Sequence, residues 1–314
     1  MTHSRPALRD LLDDHGLAPR RDLGQNFVTD ANTVRRIAEL AGVGPGDHVV
    51  EIGAGLGSLT LALAETGASV TAIEVDHGIV AVLREVVEHL DRVTVVEADA
   101  MDLGWVDLVE AHRAGGAGRG IGAAIGRGRP WTLVANLPYN VATPLVCDIL
   151  DRVPQVGRLL VMVQREVAER FAAPAGARAR GAVSVKVAYW GRARVVGHVP
   201  ATVFLPRPNV ESSLVEIVRR TPPAVPPDDL FDLVRTAFGQ RRKMLRRSLG
   251  ALVEPSAFGA AEVAETARPE ELDLDAWVRL ARAATSAGTT DTTAGGGHAA
   301  ADGDGADDEA GDAT

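Results

Sequence analysis

The segment Asn136-Leu137-Pro138-Tyr139 places an amide, a proline and an aromatic ring within four consecutive residues. It follows the apolar run Trp131–Ala135, which predicts a strand ending at the sheet edge where ligands bind in α/β folds. The N6 lone pair of adenine is delocalised into the ring and is a poor nucleophile. If the Asn136 amide oxygen and the Pro138 carbonyl each accept one N6–H bond, the lone pair can attack an electrophilic methyl group, while Tyr139 stacks on the base. The competing interpretation is a strand-ending turn with an ordinary buried tyrosine.

A second candidate site is the glycine-rich run Glu51-Ile52-Gly53-Ala54-Gly55-Leu56-Gly57, which follows an apolar stretch and predicts a strand-to-helix turn. Glycines let a ligand approach the backbone, and the helix start presents free N–H groups. Glu74 lies about 20 residues further on, where an acid can hold ribose hydroxyls. Asp99 follows the third apolar strand. We therefore predict a nucleotide-type ligand at Glu51, Gly53, Gly55, Glu74 and Asp99.

The acidic residues favour S-adenosylmethionine over NAD as that ligand. One carboxylate, at Glu51 or Asp99, can face the amino group of a methionine moiety, and the other can face the adenine amine. An NAD-dependent dehydrogenase would also need an acid or base for hydride transfer, and the Asn136 turn supplies none.

The elements that would position these residues alternate along the chain. The predicted strands are His48–Ile52, Ser69–Val75, Val93–Glu97, Trp131–Ala135, Arg158–Gln164 and Val183–Tyr189. Helices are predicted after Ser4, over Ser58–Glu65 and over Ile79–His89. Strands separated by helices predict a parallel, doubly wound α/β sheet.

Three later segments define the domain organisation. The stretch 112–130 holds seven glycines in nineteen residues and predicts a long flexible loop. The prolines of 221–227 predict a boundary. Beyond it, Asp228–Leu249 and Glu271–Ala284 have helical spacing. We therefore expect a methyltransferase-like domain over 1–221, a small helical domain over 222–284 and a disordered acidic tail over 285–314.

Charge and composition limit the classes of partner and site. The net charge is −9, but the tail carries seven acidic residues and no lysine or arginine, and the net charge without it is −2. The single cysteine, Cys147, excludes an intramolecular disulfide. The histidines show no metal-ligand spacing, so no metal is expected. We find no run of about 18 apolar residues, and we expect a soluble, cytoplasmic monomer without a membrane partner.

A basic cluster near the C-terminus is the predicted RNA contact. Arg241, Arg242, Lys243, Arg246 and Arg247 fall on the predicted helix, with no acidic residue among them. Such residues would grip phosphates while the pocket selects the base. A solvated helix face is the alternative.

Eight segments, taken together in this order, resemble the ribosomal RNA adenine dimethyltransferase family, and the last three are similar to its small-subunit branch. They are Leu23-Gly24-Gln25-Asn26-Phe27-Val28, Glu51 to Gly57, Ala72-Ile73-Glu74-Val75-Asp76, Glu97-Ala98-Asp99-Ala100, Asn136-Leu137-Pro138-Tyr139-Asn140, Met162 to Arg170, Phe204 to Val210, and Ala237 to Lys243. The resemblance spans about Leu23 to Leu249. It implies a Rossmann-like S-adenosylmethionine-dependent domain with a small C-terminal helical domain.

The resemblance also implies residue roles. Asn26 and Val28 would line the methyl-donor pocket, Gly53 would lie against the methionine part and Glu74 would hold the ribose. Asp99 would hold the adenine amine, and Asn136 would bridge donor and target. Phe204 would offer a second stacking surface, although a core phenylalanine is an equal alternative. Ala54 stands where the family usually has proline.

The implied activity is dimethylation of the N6 amine of two adjacent adenosines near the 3′ end of 16S ribosomal RNA, with a role in small-subunit biogenesis. The partner would be small-subunit ribosomal RNA or a pre-ribosomal particle. Two alternatives remain open at this point. One is a large-subunit (23S) adenine methyltransferase that confers antibiotic resistance. The other is a protein that acts chiefly as a ribosome-assembly factor.

Overall fold

A computed structural model describes residues 3–20, 22–105, 108 and 129–289 of the chain. Its centre is a seven-stranded sheet with the strand order β4-β3-β2-β5-β6-β9-β7. The strands are β2 (His48–Ile52), β3 (Ser69–Glu74), β4 (Val93–Glu97), β5 (Trp131–Asn136), β6 (Val156–Gln164), β7 (Gly191–Val199) and β9 (Ser212–Arg219). A separate ribbon pairs β1 (Phe27–Val28) with β8 (Phe204–Leu205).

The sheet is mixed, so the expectation of an all-parallel sheet is wrong at one edge. β4, β3, β2, β5 and β6 run parallel, whereas β9 is antiparallel to both β6 and β7. Parallel strands need crossover helices, but β7 reaches β9 through the short β8 segment without one. Consequently the first residue of β9 lies at the edge where the parallel strands end.

Helices cover both faces of the sheet. Within the described residues they are α1 (Arg5–Asp14), α2 (Ala31–Ala41), α3 (Ser58–Glu65), α4 (His77–Val87), α5 (Ala142–Arg152), α6 (Arg165–Phe171), α7 (Ala182–Trp190), α8 (Pro227–Gly239), α9 (Leu245–Ser248), α10 (Pro255–Ala260) and α11 (Leu274–Thr289). Residues of α2 and α3 pack with β2, β3 and β6 in one core, and residues of α5 pack in the core on the opposite face. The doubly wound α/β class is therefore confirmed.

The segment Val183–Tyr189 is helical, and the predicted strand there is wrong. Val187 packs in the core of the sheet domain, whereas Val185 and Tyr189 pack in the C-terminal core. A helix buried on both sides needs apolar residues around its circumference, so it lacks the 3.6-residue period that would have identified it. Ser184 also caps its start, since the Ser184 hydroxyl accepts a hydrogen bond from the Gly181 N–H.

The helices that follow the predicted boundary pack in one core, and residues of α7, which precedes that boundary, belong to the same core. That core joins Val185 and Tyr189 to Leu230, Val234 and Trp277, among others. The Tyr189 hydroxyl donates to the Val225 carbonyl at 2.7 Å, which fixes α7 against the proline segment. Helix α7 therefore packs with elements on both sides of the predicted boundary at 221–227.

The predicted continuous helix Asp228–Leu249 is interrupted. α8 ends at Gly239, residues 240–244 form a turn and α9 begins at Leu245. The N–H groups of Leu245 and Arg246 donate to the carbonyls of Ala267 and Glu265. These tertiary bonds replace the intrahelical bonds that a continuous helix would need, and all five residues of the basic cluster lie on a turn and a short helix.

Several expectations fall partly or wholly outside the described residues. Of the predicted loop 112–130, only Arg129 and Pro130 are described, and Arg129 pairs with Asp47 at 2.8 Å. The last helix, α11, extends to Thr289, so the first five residues of the predicted tail are helical. Among the described residues, no helix is long and apolar enough to cross a membrane, and no group of three or more histidine, cysteine or acidic residues could hold a metal ion.

Candidate active site

A cavity of about 280 Å³ opens at the carboxyl edge of the parallel strands. It lies between the ends of β2, β3 and β5 and the segment that precedes β1. The structure brings almost all of the predicted site residues together around it. They are Asn26, Val28, Glu51, Gly53, Gly55, Glu74, Asp99, Asn136, Pro138 and Tyr139.

The glycine turn between β2 and α3 forms one wall of the cavity. The N–H groups of Gly53 and Ala54 both donate to the Ile73 carbonyl, at 2.9 and 3.1 Å. Gly55 has a φ of 56°, and a Cβ there would lie 3.0 Å from the Phe27 ring. Glycine is therefore required at this position both for its conformation and for the close approach of Phe27. The Ala54 N–H bond is one that a proline at this position could not make.

Glu74 ends β3 and is 6% exposed. Its Oε2 accepts the Gly55 N–H at 2.8 Å, and its Oε1 accepts the N–H groups of Val75 and Asp76 at 3.0 and 3.1 Å. Burial raises the pKa of Glu74, and these backbone bonds oppose the rise. A carboxylate offers about four lone-pair sites, so Glu74 can organise the glycine turn and still accept a ligand hydroxyl.

Glu51 is 1% exposed, and its Oε2 makes no hydrogen bond among the described residues. Burial raises its pKa to about 8; the Thr60 hydroxyl lowers it somewhat, and the Glu74 carboxylate adds to the rise. Leaving a buried polar atom unbonded is costly. The arrangement therefore suits a ligand that brings a hydrogen-bond donor or a positive charge to this carboxyl group.

Ser58, the first residue of α3, is a cavity residue that the sequence reasoning missed. It is 8% exposed, it lines the cavity, and its hydroxyl has no hydrogen-bond partner among the described residues. Its position directly after Gly57, at the start of a helix, was the available signal. Ser58 and Glu51 together present two unbonded polar groups on this wall.

The chain before β1 covers the opposite side of the cavity. Gly24 adopts a φ of 64°, and a Cβ there would lie 3.0 Å from the Pro138 Cβ. The Gln25 amide donates to Asp76 at 3.1 Å, and the Asn26 side-chain amide donates to the Gly24 carbonyl at 2.9 Å. Gly24 therefore packs closely on Pro138 of the Asn136 turn, and Gln25 ties the segment to Asp76, which follows β3.

Asn136 is the last residue of β5. Its Nδ2 donates to the Asn26 backbone carbonyl at 2.9 Å. The N–H of Leu137 donates to the Met162 carbonyl at 3.1 Å, which fixes the start of the turn to β6. The Asn136 amide oxygen accepts no hydrogen bond from the described residues, so it remains available to a ligand.

The predicted role of the Pro138 carbonyl needs a correction. That carbonyl accepts the N–H groups of Val141 and Ala142, at 3.2 and 3.1 Å, because the turn at 139–141 leads directly into α5. An oxygen with two backbone donors is a poor acceptor for a third. The Leu137 carbonyl, one residue earlier, accepts no hydrogen bond from the described backbone, and Leu137 lines the cavity.

The two predicted stacking residues have different environments. Tyr139 lines the cavity, and its hydroxyl lies 2.9 Å from the Ser212 hydroxyl. Phe204 does not line the cavity; it is 1% exposed and packs with Val28 and Leu214 in the core under α2 and α3. The expectation that Phe204 stacks on a base is therefore corrected to its alternative, a core phenylalanine at a strand end.

Asp99 and Val28 occupy different depths. Asp99 is exposed at the rim, and its Oδ1 accepts the Met101 N–H at 2.8 Å. Val28 is 7% exposed and lies in the β1–β8 ribbon, opposite Phe204. An exposed carboxylate at the rim can meet a polar group of a ligand, and a buried valine supplies an apolar floor.

Some side chains of the basic cluster bind other residues of the protein, and others do not bind a described residue. Arg241 donates to the Arg178 carbonyl at 2.8 Å and lies 3.6 Å from the Glu270 carboxylate, and Arg246 pairs with Glu265 at 2.9 Å. Arg242, Lys243 and Arg247 are exposed and form no ion pair within the described part of the chain. Among the five residues of the basic cluster, these three carry a positive charge that no described acidic residue pairs.

Comparison with known proteins identifies relatives over most of the chain. A family model described as ribosomal RNA adenine dimethylase matches residues 16–285. The ribosomal RNA small subunit methyltransferase A of Leifsonia xyli is 45% identical over 289 residues, covering 87% of this chain and 95% of that protein. The protein of the same name from Cutibacterium acnes is 42% identical over 299 residues, covering 90% and 94%.

Two solved structures share the fold. The 23S rRNA methyltransferase ErmE superimposes with a TM-score of 0.62 at 23% identity, covering 82% of this chain and 99% of that one. A dimethyladenosine transferase from Plasmodium falciparum gives 0.63 at 20% identity, covering 80% and 94%. Both confirm the predicted Rossmann-like architecture.

Proposed function

Because this chain belongs to the ribosomal RNA adenine dimethylase family, we propose that it dimethylates the N6 amines of two adjacent adenosines near the 3′ end of 16S ribosomal RNA, with S-adenosylmethionine as the donor. The observation that carries the chemistry is the unengaged Asn136 amide oxygen beside the cavity. Small-subunit ribosomal RNA, naked or in a pre-ribosomal particle, is the proposed partner. The enzyme would act in the cytoplasm, where bacterial ribosomes are assembled.

The residues that line the cavity suit S-adenosylmethionine as the donor. Glu51 and Ser58 present unbonded polar atoms that suit the amino and carboxylate groups of methionine. Glu74 retains acceptor capacity for ribose hydroxyls, and Asp99 at the rim suits the adenine amine. The glycine turn allows close approach of the backbone, with Gly53 against the methionine part. When bound, S-adenosylmethionine supplies an electrophilic methyl group on its sulfonium sulfur.

The Asn136 turn would activate the target amine. The Asn136 side-chain oxygen accepts one N6–H bond, and the Leu137 carbonyl, rather than that of Pro138, accepts the other. With one acceptor on each of its two N–H bonds, the N6 nitrogen keeps its lone pair localised, and the lone pair points towards the methyl group of the donor. No strong general base is needed, because the methylated amine is acidic enough to release its proton to water.

Tyr139 would hold the base that has left its stack. Enzymes that modify a base must extrude it, and an aromatic face offsets part of that cost. Tyr139 lines the cavity, whereas Phe204 is buried away from it. Tyr139 is therefore the proposed stacking surface within the described residues.

The turn and short helix after α8 would contact phosphates. Arg242, Lys243 and Arg247 are exposed and unpaired within the described residues, whereas Arg241 and Arg246 already have protein partners. Phosphate contacts from such side chains position the RNA, and the pocket selects the base. We assign the stronger RNA contacts to the three unpaired residues.

The large-subunit alternative is less well supported. The relatives at 41–45% identity are named for the small subunit, and they match across about nine-tenths of their own length. The structural likeness to a 23S enzyme, at 23% identity, supports the fold only.

The test is to incubate the purified chain with labelled donor and either small-subunit or large-subunit RNA, each naked and in immature particles. Mass spectrometry of the digested nucleosides then identifies the product. We expect N6,N6-dimethyladenosine in small-subunit RNA alone. Dimethyladenosine only in large-subunit RNA, or no methylated adenosine in any sample, would overturn the proposal.

A further inference from the structure

A hydrogen bond from the back of the cavity fixes Tyr139 to a strand that is distant in sequence. The Tyr139 hydroxyl lies 2.9 Å from the Ser212 hydroxyl, although the two residues are 73 positions apart. Tyr139 is half-buried and lines the cavity, whereas Ser212 is 1% exposed and does not. Ser212 therefore binds the Tyr139 hydroxyl from the side that faces away from the cavity.

Ser212 is rigidly placed by the sheet. It is the first residue of β9, and it pairs with Gln164 on β6 and with Val199 on β7. The preceding residue, Glu211, accepts the Arg165 N–H at 3.0 Å through its carbonyl. Backbone pairing on both sides fixes the main chain of Ser212, and burial surrounds its side chain, so its hydroxyl is held at a defined place behind the cavity.

The antiparallel course of β9 explains why this anchor exists. The parallel strands reach the cavity with their carboxyl ends, and β9 reaches the same edge with its first residue. The turn Asn136–Tyr139 follows the carboxyl end of β5, on the other side of β6. The mixed edge of the sheet thereby brings Ser212 behind Tyr139.

We propose that Ser212 is a positioning residue for methyl transfer, which holds the Tyr139 ring at the orientation needed to stack on the target adenine. This inference rests on the proposed function. Two side-chain torsions set the Tyr139 ring, and a second fixed point at the hydroxyl restricts the direction in which the ring points. A ring held before RNA arrives loses less freedom on binding the base. Ser212 itself does not touch the substrate.

The chain offers a matched control in Ser213. Ser213 is also 1% exposed and paired in the same two ladders, but its hydroxyl bonds to His198 Nδ1 at 3.0 Å. Successive residues of a strand point to opposite faces. Ser213→Ala therefore removes an equally buried hydroxyl without touching Tyr139.

The experiment measures single-turnover methyl transfer, with saturating donor and RNA, for Ser212→Ala, Ser212→Thr, Ser213→Ala, Tyr139→Phe and the Ser212→Ala/Tyr139→Phe double variant. A neutral hydrogen bond corresponds to a change of roughly two- to tenfold. Ser212→Ala and Tyr139→Phe should each slow transfer by that factor, and the double variant should be no slower than either. Ser212→Thr retains a hydroxyl and should keep the wild-type rate, and Ser213→Ala should match the wild type. Donor affinity should be unchanged in all these variants.

A second readout does not depend on methylation. With isotope-labelled tyrosine, only Tyr139 and Tyr189 give ring resonances. The resonance of the Tyr139 carbon that bears the hydroxyl should shift in Ser212→Ala and not in Ser213→Ala. An RNA carrying 2-aminopurine at the target position should be quenched less by Ser212→Ala, because stacking on the ring is weaker.

The outcomes separate this inference from the proposed function. A wild-type rate in Ser212→Ala, or equal losses in Ser212→Ala and Ser213→Ala, would overturn the positioning role. If Ser212→Ala does not fold, Tyr139→Phe breaks the same bond and decides the question, and a wild-type rate there overturns the role. A wild-type protein that methylates no adenosine would reject the proposed function, whereas the tyrosine resonance would still report whether the bond exists.

Discussion

The side-chain nitrogen of Asn136 lies 2.9 Å from the backbone carbonyl oxygen of Asn26 and donates a hydrogen bond to it. This bond fixes the orientation of the amide, because the opposite orientation would set two oxygens against each other. The Asn136 oxygen is consequently presented to a ligand. The residue preceding β1 thus completes the turn that follows β5.

Phe204 should behave as a core residue. Phe204→Ala should lower the free energy of unfolding by about 3–5 kcal/mol, the usual cost of removing a buried phenylalanine. Phe204→Leu retains most of the apolar volume, so it should destabilise less and leave the single-turnover rate unchanged. Denaturant unfolding and methyl transfer check both variants. A folded Phe204→Leu protein with little transfer would restore the stacking role.

Glu51 should make the free protein less stable as the pH rises. Its pKa is about 8 in the folded state, and about 4.3 is usual for an unperturbed glutamate. Between these values the folded state holds a proton that the unfolded state has released, so stability falls with rising pH, by at most about 1.4 kcal/mol per pH unit.

Unfolding measurements from pH 5 to about 8 check this effect of the raised pKa. Glu51→Gln should flatten the decline. Glu39→Gln, at an exposed residue of α2, should leave the decline unchanged. Parallel profiles for wild type and Glu51→Gln would show that Glu51 is ionised in the folded protein throughout.

Glu74 should support both the glycine turn and donor binding. Glu74→Ala should weaken donor binding by about 1.5–3 kcal/mol, the range for hydrogen bonds to charged groups. Titration calorimetry measures the affinity. The control is Glu97→Ala, since Glu97 pairs with Glu74 in the strand register but does not line the cavity. Equal affinities in folded Glu74→Ala and wild type would reject the assignment.

The unpaired basic residues should account for the salt dependence of RNA binding. The slope of log affinity against log salt is negative for RNA binding. Replacing Arg242, Lys243 and Arg247 with alanine should make it less steep, by up to about 0.9 for each duplex phosphate that the protein no longer neutralises. Arg241→Ala should change that slope less, because Arg241 binds Arg178 and Glu270. RNA affinity measured across a salt series for the triple variant and for Arg241→Ala gives both slopes. A triple variant with the wild-type slope would show that the RNA binds elsewhere on the protein.

The site was largely predictable because its residues follow strands whose patterns are local. The apolar runs before Gly53, Glu74 and Asn136 predict three parallel strands, and parallel strands deliver their carboxyl ends to one edge. That reasoning needs no long-range information. It therefore brought the glycine turn, Glu74 and the Asn136 turn to one edge of the sheet, where the structure shows them around a single cavity.

What sequence reasoning missed depends on contacts between distant segments. α7 has alternating apolar residues because it packs between two cores, and this alternation is typical of a strand. The position of Ser212 behind Tyr139 follows from the antiparallel β9. Neither is encoded in the spacing of nearby residues, whereas the bonds of the Pro138 carbonyl are local and follow from the turn into α5.

The most direct test of the account is single-turnover methyl transfer by Asn136→Ala, with labelled donor and small-subunit RNA both saturating. Asn136 is expected to act on the reacting nitrogen itself, so its removal should slow the chemical step rather than weaken binding. Donor affinity should also decrease somewhat, because Asn136 lines the cavity, and saturation with donor removes that contribution from the rate. We predict a greatly reduced rate in a folded protein. A wild-type rate under these conditions would show that the turn is only structural and would contradict the mechanism.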